Sequence, residues 1–162
     1  MADTHEKEPF TRLLEALEEA KIPYILIGMS AAVAQGVMTH TLDVDIWIGL
    51  SPRQHMRVNN VAIGTGAEMV ANTVVYLRDG TPINFIYEVD GLPSFKTERK
   101  KTIELRFLGH PMPVLPIDRI RKSKAFIGRS KDLLHIQLID EFLACAASSK
   151  TAKKKRKTKR IK

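Results

Sequence analysis

The sequence predicts an α/β domain of the α+β kind, on three observations. Helical spacing of apolar residues governs both ends, short apolar or β-branched runs follow the first helix, and two β-rich pairs with turn residues fill the centre. Phe10, Leu13, Leu14 and Leu17 recur on one helical face, so 9–20 reads as an amphipathic helix, stopped at Lys21-Ile22-Pro23 because a residue before proline avoids helical geometry. Tyr24–Ile27 is a continuous apolar run, the pattern of a buried strand. Gly28-Met29-Ser30 then turns into a short Ala-rich segment closed by Gly36. Val44–Ile48 is a second strand, and Ser51-Pro52 starts a helix as N-cap and first-turn proline. Segments 74–78 and 83–87 around Asp79-Gly80 read as a hairpin, and 103–108 with 112–115 as a second pair. Helices over 117–126 and 131–147 complete the chain.

Bulk properties bound the function. A chain of 162 residues has room for one core, and 44% hydrophobic with 27% charged residues is ordinary globular composition. The apolar runs fall well short of the roughly 20 residues that a membrane span requires, so no membrane association is expected. The acidic N-terminus lacks the pattern of a secretory signal, and Cys145 is the single cysteine, which excludes an internal disulfide or thiolate zinc cluster. A cytoplasmic location is the expectation.

The net charge of +8 is unevenly placed. Nine of the 26 basic residues lie from Lys150 onward with no acidic one, leaving 17 basic against 18 acidic residues in 1–149. The reading is therefore a nearly neutral domain over 1–149 and a basic tail over 150–162, expected to be disordered. The tail suits RNA or another nucleic acid through salt-sensitive phosphate contacts, or serves only as a solubilising end. A neutral body argues against a fold that grips duplex DNA with its own face.

The chemistry concentrates between Leu26 and Ile48. On a strand, Asp43 and Asp45 point to one side, and two such close carboxylates remain ionised together when a cation sits between them. Oxygen ligands of this kind suit Mg2+, or Mn2+, which keeps waters and accepts phosphate oxygens. Upstream, the Gly28–Ser30 turn offers backbone N–H groups at a helix start. A triphosphate held between that turn and the metal is the arrangement these residues suggest.

Gly28-Met29-Ser30 followed by Thr41-Leu42-Asp43-Val44-Asp45 resembles the small bacterial nucleotidyltransferases of the DNA polymerase β-like superfamily, particularly those grouped with abortive-infection toxins. Lys124-Ala125 and Gly128-Arg129-Ser130-Lys131-Asp132 are similar to a second signature of that family. The resemblance implies a nucleotidyltransferase fold: a mixed β-sheet flanked by helices, with C-terminal helices. It implies metal-dependent transfer of an NMP from an NTP to an acceptor hydroxyl. It also implies a toxin–antitoxin setting, with a cognate antitoxin or other partner protein. Asp43, Asp45 and the residue at position 84 become the catalytic set, with metal on Asp43 and Asp45; Gly28, Met29, Ser30, Thr41, Lys124, Lys131 and Asp132 become nucleotide contacts.

The family's third carboxylate falls on Asn84, an amide that cannot act as a base. A catalytically silent nucleotidyltransferase-fold protein, binding nucleotide or nucleic acid or acting as a partner subunit, is the alternative. Glu88 shares the face of Asn84 but lies about 13 Å along an extended strand. Met29 replaces a small residue and is expected to crowd the phosphate approach, while His135 stands where relatives carry another Asp. Other readings stay open: Ser30 as an N-cap or a phosphate donor, Thr41 as a β-former, Lys124 as phosphate-facing or solvated, Asp132 as a helix cap. Leu134, Leu138, Phe142 and Cys145 share helical spacing and are expected to pack.

Overall fold

The computed structural model describes residues 6–160. A seven-stranded mixed sheet, ordered β3-β4-β5-β2-β1-β7-β6, carries helices on both faces. Its elements are α1 (Pro9–Glu19), β1 (Tyr24–Ile27), α2 (Gly28–Ala34), β2 (Val44–Ile48), α3 (His55–Gly64), β3 (Glu68–Ala71), β4 (Val74–Tyr76), β5 (Pro82–Ile86), α4 (Phe95–Arg99), β6 (Ile103–Phe107), β7 (His110–Val114), α5 (Ile117–Ile127) and α6 (Ser130–Arg160). The expected α+β architecture and mixed sheet are observed.

The central strands set the frame. β1 runs antiparallel to β2, with Leu26 opposite Ile46 and Ile27 opposite Asp45. β2 runs parallel to β5, with Asp45 beside Asn84 and Ile46 beside Phe85. Leu26, Ile46 and Phe85 therefore share one sheet face, and all three are fully or almost fully buried. α1 covers that face: Tyr24 Oη donates to Glu18 at 2.6 Å, and Phe10 meets Phe107 edge to face at 5.7 Å. The other face carries Ile27, Asp45, Trp47, Asn84 and Ile86. There Trp47 packs edge to face on Phe95 of α4 at 5.5 Å.

Several element ends differ from the sequence reading for local reasons. α1 ends by a Schellman turn before the proline acts: Ile22 N–H bonds Leu17 O at 2.9 Å, Lys21 N–H bonds Glu18 O, and Lys21 adopts φ 57°. The second hairpin turns through Leu108 and Gly109, both at positive φ, so His110 opens β7. With no N–H at Pro111 or Pro113, β7 meets β1 only near its end, where Val114 registers with Leu26 and Leu115 N–H bonds Leu26 O at 2.9 Å.

α4 was not anticipated. Ser94 caps it, accepting from Thr97 N–H, and it brings a buried Glu98 to Arg119 of α5 in a two-bond pairing at 2.9 and 2.6 Å. Burial pushes the Glu98 carboxyl up, but Arg119 and Lys101 outweigh it and hold it below its ordinary value.

Two expectations for the last helix are corrected. Helix continues through the segment from residue 150 to Arg160 that was expected to be disordered; Ile161 and Lys162 lie outside the described residues. Lys, Arg and Ala are good helix formers, and extending an existing helix avoids the cost of nucleation. Leu138 and Phe142 pack against the core as expected, joined by Asp132, His135 and Ile139, whereas Leu134 is 63% exposed and Cys145 is exposed. The apolar run offers overlapping stripes, and the buried Asp132 selects one of them.

A lysine in the left-handed region carries a steric cost that glycine does not. Lys21→Gly is expected to stabilise the protein by about 1 kcal/mol. Urea unfolding should show a higher midpoint at unchanged slope; an unchanged or lower midpoint contradicts the turn geometry.

Candidate active site

The site is built where β1 ends and α2 begins without an intervening loop. Gly28 is the first residue of α2 and adopts φ 66°, and a Cβ placed on it would collide with Asp45 Oδ2. Only glycine suits both the backbone angle and the close approach. β2 and α2 are joined a second time through Ser30. Its hydroxyl donates to Ile27 O at 2.9 Å and accepts from Asp45 N–H at 3.4 Å. Ser30 is wholly buried, and the N-cap is Ile27 with no side-chain bond, so Ser30 is neither the cap nor an exposed phosphate donor. Its role in the structure is to hold the carboxylate-bearing strand against the helix start.

Met29 is also corrected. Its side chain is 6% exposed and belongs to the hydrophobic core, so it does not crowd the approach, and only its backbone remains available to a ligand. Thr41 lies before β2 and donates its hydroxyl to Asp43 O at 3.0 Å, which shapes the entry into the strand.

Asp45 is the electrostatic centre. Burial pushes its carboxyl above the ordinary value; Asn84, whose Nδ2 donates to Oδ1 at 3.3 Å, pulls it back. Asp43 pushes it up again, and Lys124 and Lys131 pull it down. Asp43 is exposed at the residue preceding β2, within electrostatic reach of Asp45. Among the described residues no group of three acidic, histidine or cysteine side chains is placed to hold a metal.

Opposite Asp45 stands the start of α6. Asp132 is fully buried and reaches back to cap the helix, accepting from Arg129 N–H at 3.2 Å and from Arg129 Nε at 2.8 Å. These bonds, with the Lys124 charge, hold its carboxyl below the usual range. Lys124, in the last turn of α5, sits 3.6 Å from Asp132 Oδ1 and donates to His135 Nδ1 at 3.0 Å. Burial pushes the Lys124 ammonium down, while Asp132 and Asp45 support its charge. His135 is pushed down by burial and by the neighbouring ammonium, leaving Nδ1 free to accept.

Gly28, Asp45, Lys124 and Asp132 line one cleft of about 160 Å³, so four of the anticipated residues meet in space. Sequence reasoning set Glu88 aside and did not foresee Asp90, and both line the cleft. β5 stops at Ile86, so Glu88 does not continue the strand as assumed; the 88–90 segment forms part of the cleft wall instead. Glu88 and Asp90 carry the sequence hint, a polar break after an apolar strand.

No protein-family model matches the chain, and no curated protein matches it in sequence. Solved structures do match. The complex of ANT(2″)-Ia with adenylyl-2″-tobramycin aligns at TM-score 0.55 and 13% identity, covering 83% of this chain and 87% of the other. The solution structure of the same antibiotic-resistance factor aligns at 0.53, covering 92% and 94%. The lincosamide antibiotic adenylyltransferase LnuA with bound lincomycin aligns at 0.51 and 13% identity, covering 82% and 94%. At this identity the shared property is architecture, and it extends over nearly the whole of each molecule. The chain is a nucleotidyltransferase-fold protein.

Proposed function

We propose that the protein is a metal-dependent nucleotidyltransferase that moves an NMP from an NTP to an acceptor hydroxyl. The observation that carries the reading is the packing of Asp45 against Gly28, with exposed Asp43 before it and half-buried Lys124 across the cleft. A carboxylate raised by burial, and further by a like charge, is a site that a cation relieves. Two carboxylates without a third ligand suit Mg2+ or Mn2+, ions that keep waters and bind phosphate oxygens. When bound, the ion supplies charge neutralisation and orientation for the triphosphate.

The chain's own residues do the rest. The first-turn N–H groups of α2, uncapped by any side chain, face phosphate oxygens, and Lys124 balances their charge. Asp132 and His135 hold the lysine in place and keep its ammonium pointed. Lys131 adds long-range positive charge at Asp45. The acceptor oxygen attacks the α-phosphorus, the bond to the bridging oxygen of the β-phosphate breaks, and pyrophosphate leaves. Rate comes from positioning and charge. The structural neighbours carry adenylyl-tobramycin and lincomycin, which makes small-molecule hydroxyls candidate acceptors beside RNA and protein. The exposed basic residues from 150 to 156 on α6 suit a nucleic-acid contact, and a partner protein of antitoxin type fits the same reading.

Asn84 favours a second reading. Its amide is bonded to Asp45 where a carboxylate would complete a two-metal site, and the resulting protein binds NTP without turnover. Asn84→Asp is then expected to create pyrophosphate release, whereas an unchanged or lower rate sets that reading aside.

Under the leading reading, pyrophosphate release from an NTP with Mg2+ falls at least about 100-fold in Asp43→Ala and in Asp45→Ala. Release that persists in both variants refutes it. A pH effect follows from the raised Asp45 carboxyl. The native state without metal takes up this proton more readily than the unfolded chain, so ionised Asp45 destabilises the fold above its folded-state pKa. That cost is relieved as pH falls towards the ordinary carboxylate value. Asp45→Asn should therefore raise the melting temperature at neutral pH, with the gain shrinking on acidification, and Mn2+ affinity should be lost. A gain independent of pH overturns the assignment.

A further inference from the structure

The end of β1 remote from the Asp45 cleft carries a second concavity, of about 430 Å³, which shares no lining residue with that cleft. Its origin is a missing donor. Leu115 N–H bonds Leu26 O, so Tyr24, two residues earlier on β1, turns its carbonyl to the same side, towards β7. The next ladder bond would run from residue 113 to Tyr24 O, and Pro113 has no N–H to give. The strands therefore part towards their starts, and Pro23, Tyr24, Pro111, Met112 and Pro113 line the notch between them. Its size lies in the range of about 300–1,000 Å³ typical of small-molecule sites.

Charges of both signs converge on this notch: Glu18 of α1, Arg99 at the end of α4 and Glu104 of β6 line it. Tyr24 Oη donates to Glu18 at 2.6 Å and His110 Nε2 meets the same carboxylate at 3.2 Å. Both bonds fall on Oε1, which leaves Oε2 to accept from a ligand. Burial, then Glu18, pushes the Tyr24 hydroxyl above its ordinary value; Arg99 pulls it down and Glu104 pushes it up, so both charges act on one ring. Arg99 Nη1 donates to Thr102 Oγ1 at 2.9 Å, which steadies the guanidinium. Among the described residues neither Arg99 nor Glu104 has an ion-pair partner. An arginine fork without a carboxylate takes one from a ligand, and carboxylates beside an open carbonyl take an ammonium. A phosphate would meet two repelling carboxylates, and no group of three ligands for a metal ion exists among the described residues.

We propose that this notch binds a free amino acid with an aliphatic side chain, Arg99 taking its carboxylate while Glu18, Glu104 and the Tyr24 carbonyl take its ammonium. The ligand supplies the N–H that Pro113 lacks, and its side chain lies against Ile22, Met112 and the prolines. Tyr24 is about 13 Å along β1 from Gly28 at roughly 3.3 Å per residue, so the site is separate from the cleft and stands whether or not nucleotidyl transfer does.

Titration of L-leucine into the full chain, isotope-labelled and followed by amide chemical shifts, tests this. The amides of Tyr24, Thr102, Glu104 and Met112 should move, and those of Gly28 and Asp45 should stay in place. Two half-ligands separate the contacts: leucinol, an amine without the carboxylate, and isocaproate, a carboxylate without the amine. Both should bind more weakly than L-leucine. Arg99 and Glu104 are exposed, so their variants leave the core intact. Arg99→Gln should weaken L-leucine at least about tenfold and leave leucinol unchanged. Glu104→Gln should weaken L-leucine and leucinol about tenfold and leave isocaproate unchanged. An absence of shifts with L-leucine, or shifts centred on Gly28 and Asp45, overturns the site. L-leucine affinity unchanged in both variants overturns it equally. A variant that weakens all three ligands alike acts through the fold and overturns the contact assigned to that residue.

Discussion

The carboxylate of Asp45 fills the space that a side chain at residue 28 would need, and the surrounding architecture is arranged around that contact. It requires β1 to end at Ile27 directly opposite Asp45, and α2 to start at once in a left-handed conformation. Ser30 secures the junction from within by bonding both Ile27 O and Asp45 N–H. Shifting β2 by one residue would turn Asp45 into the α1 face and bring an apolar neighbour to the cleft. Strand register and site chemistry are therefore one constraint. Core packing enforces it through Ile46 and Trp47, which are buried on opposite sides of the same strand.

The charges follow a similar economy. Asp132 serves α6 as a cap and Lys124 as a counter-ion, so the carboxylate that starts the helix also fixes the cation of the cleft. α5, which carries Lys124, is tied further along to α4 by the Glu98–Arg119 pair. A buried pair of this sort contributes little net stability but is costly to break from one side, which makes it an effective register pin. The position of Lys124 is thus determined at both ends of α5.

Much of this was legible in the residues. Phe10, Leu13, Leu14 and Leu17 announce α1 because one helical stripe is unambiguous, and β1 and β2 emerge with their observed limits because apolar runs end at turn residues. Gly28, Asp45, Lys124 and Asp132 were grouped by the family resemblance, and in the fold all four line one cleft. What escaped detection depends on tertiary context. Whether Met29 and Ser30 face core or ligand turns on the direction of a helix only seven residues long. Glu88 joined the wall because β5 stops early, which no alternation pattern announces. On α6, Leu138 and Phe142 pack as read, but Ile139 is buried where Leu134 and Cys145 were expected to be, since the run from Leu133 to Phe142 is apolar on more than one side.

The uninterrupted course of α6 has a mechanical corollary. A rod of 31 residues spans roughly 46 Å at 1.5 Å per residue, with its near end set in the cleft by Asp132. Unlike a coil, such a rod fixes direction as well as reach. Each residue inserted along it advances the far end by about 1.5 Å and swings it by about 100° around the axis. The helix is a ruler with an azimuth: its far end stands from the Asp45 cleft at a bearing encoded in a residue count.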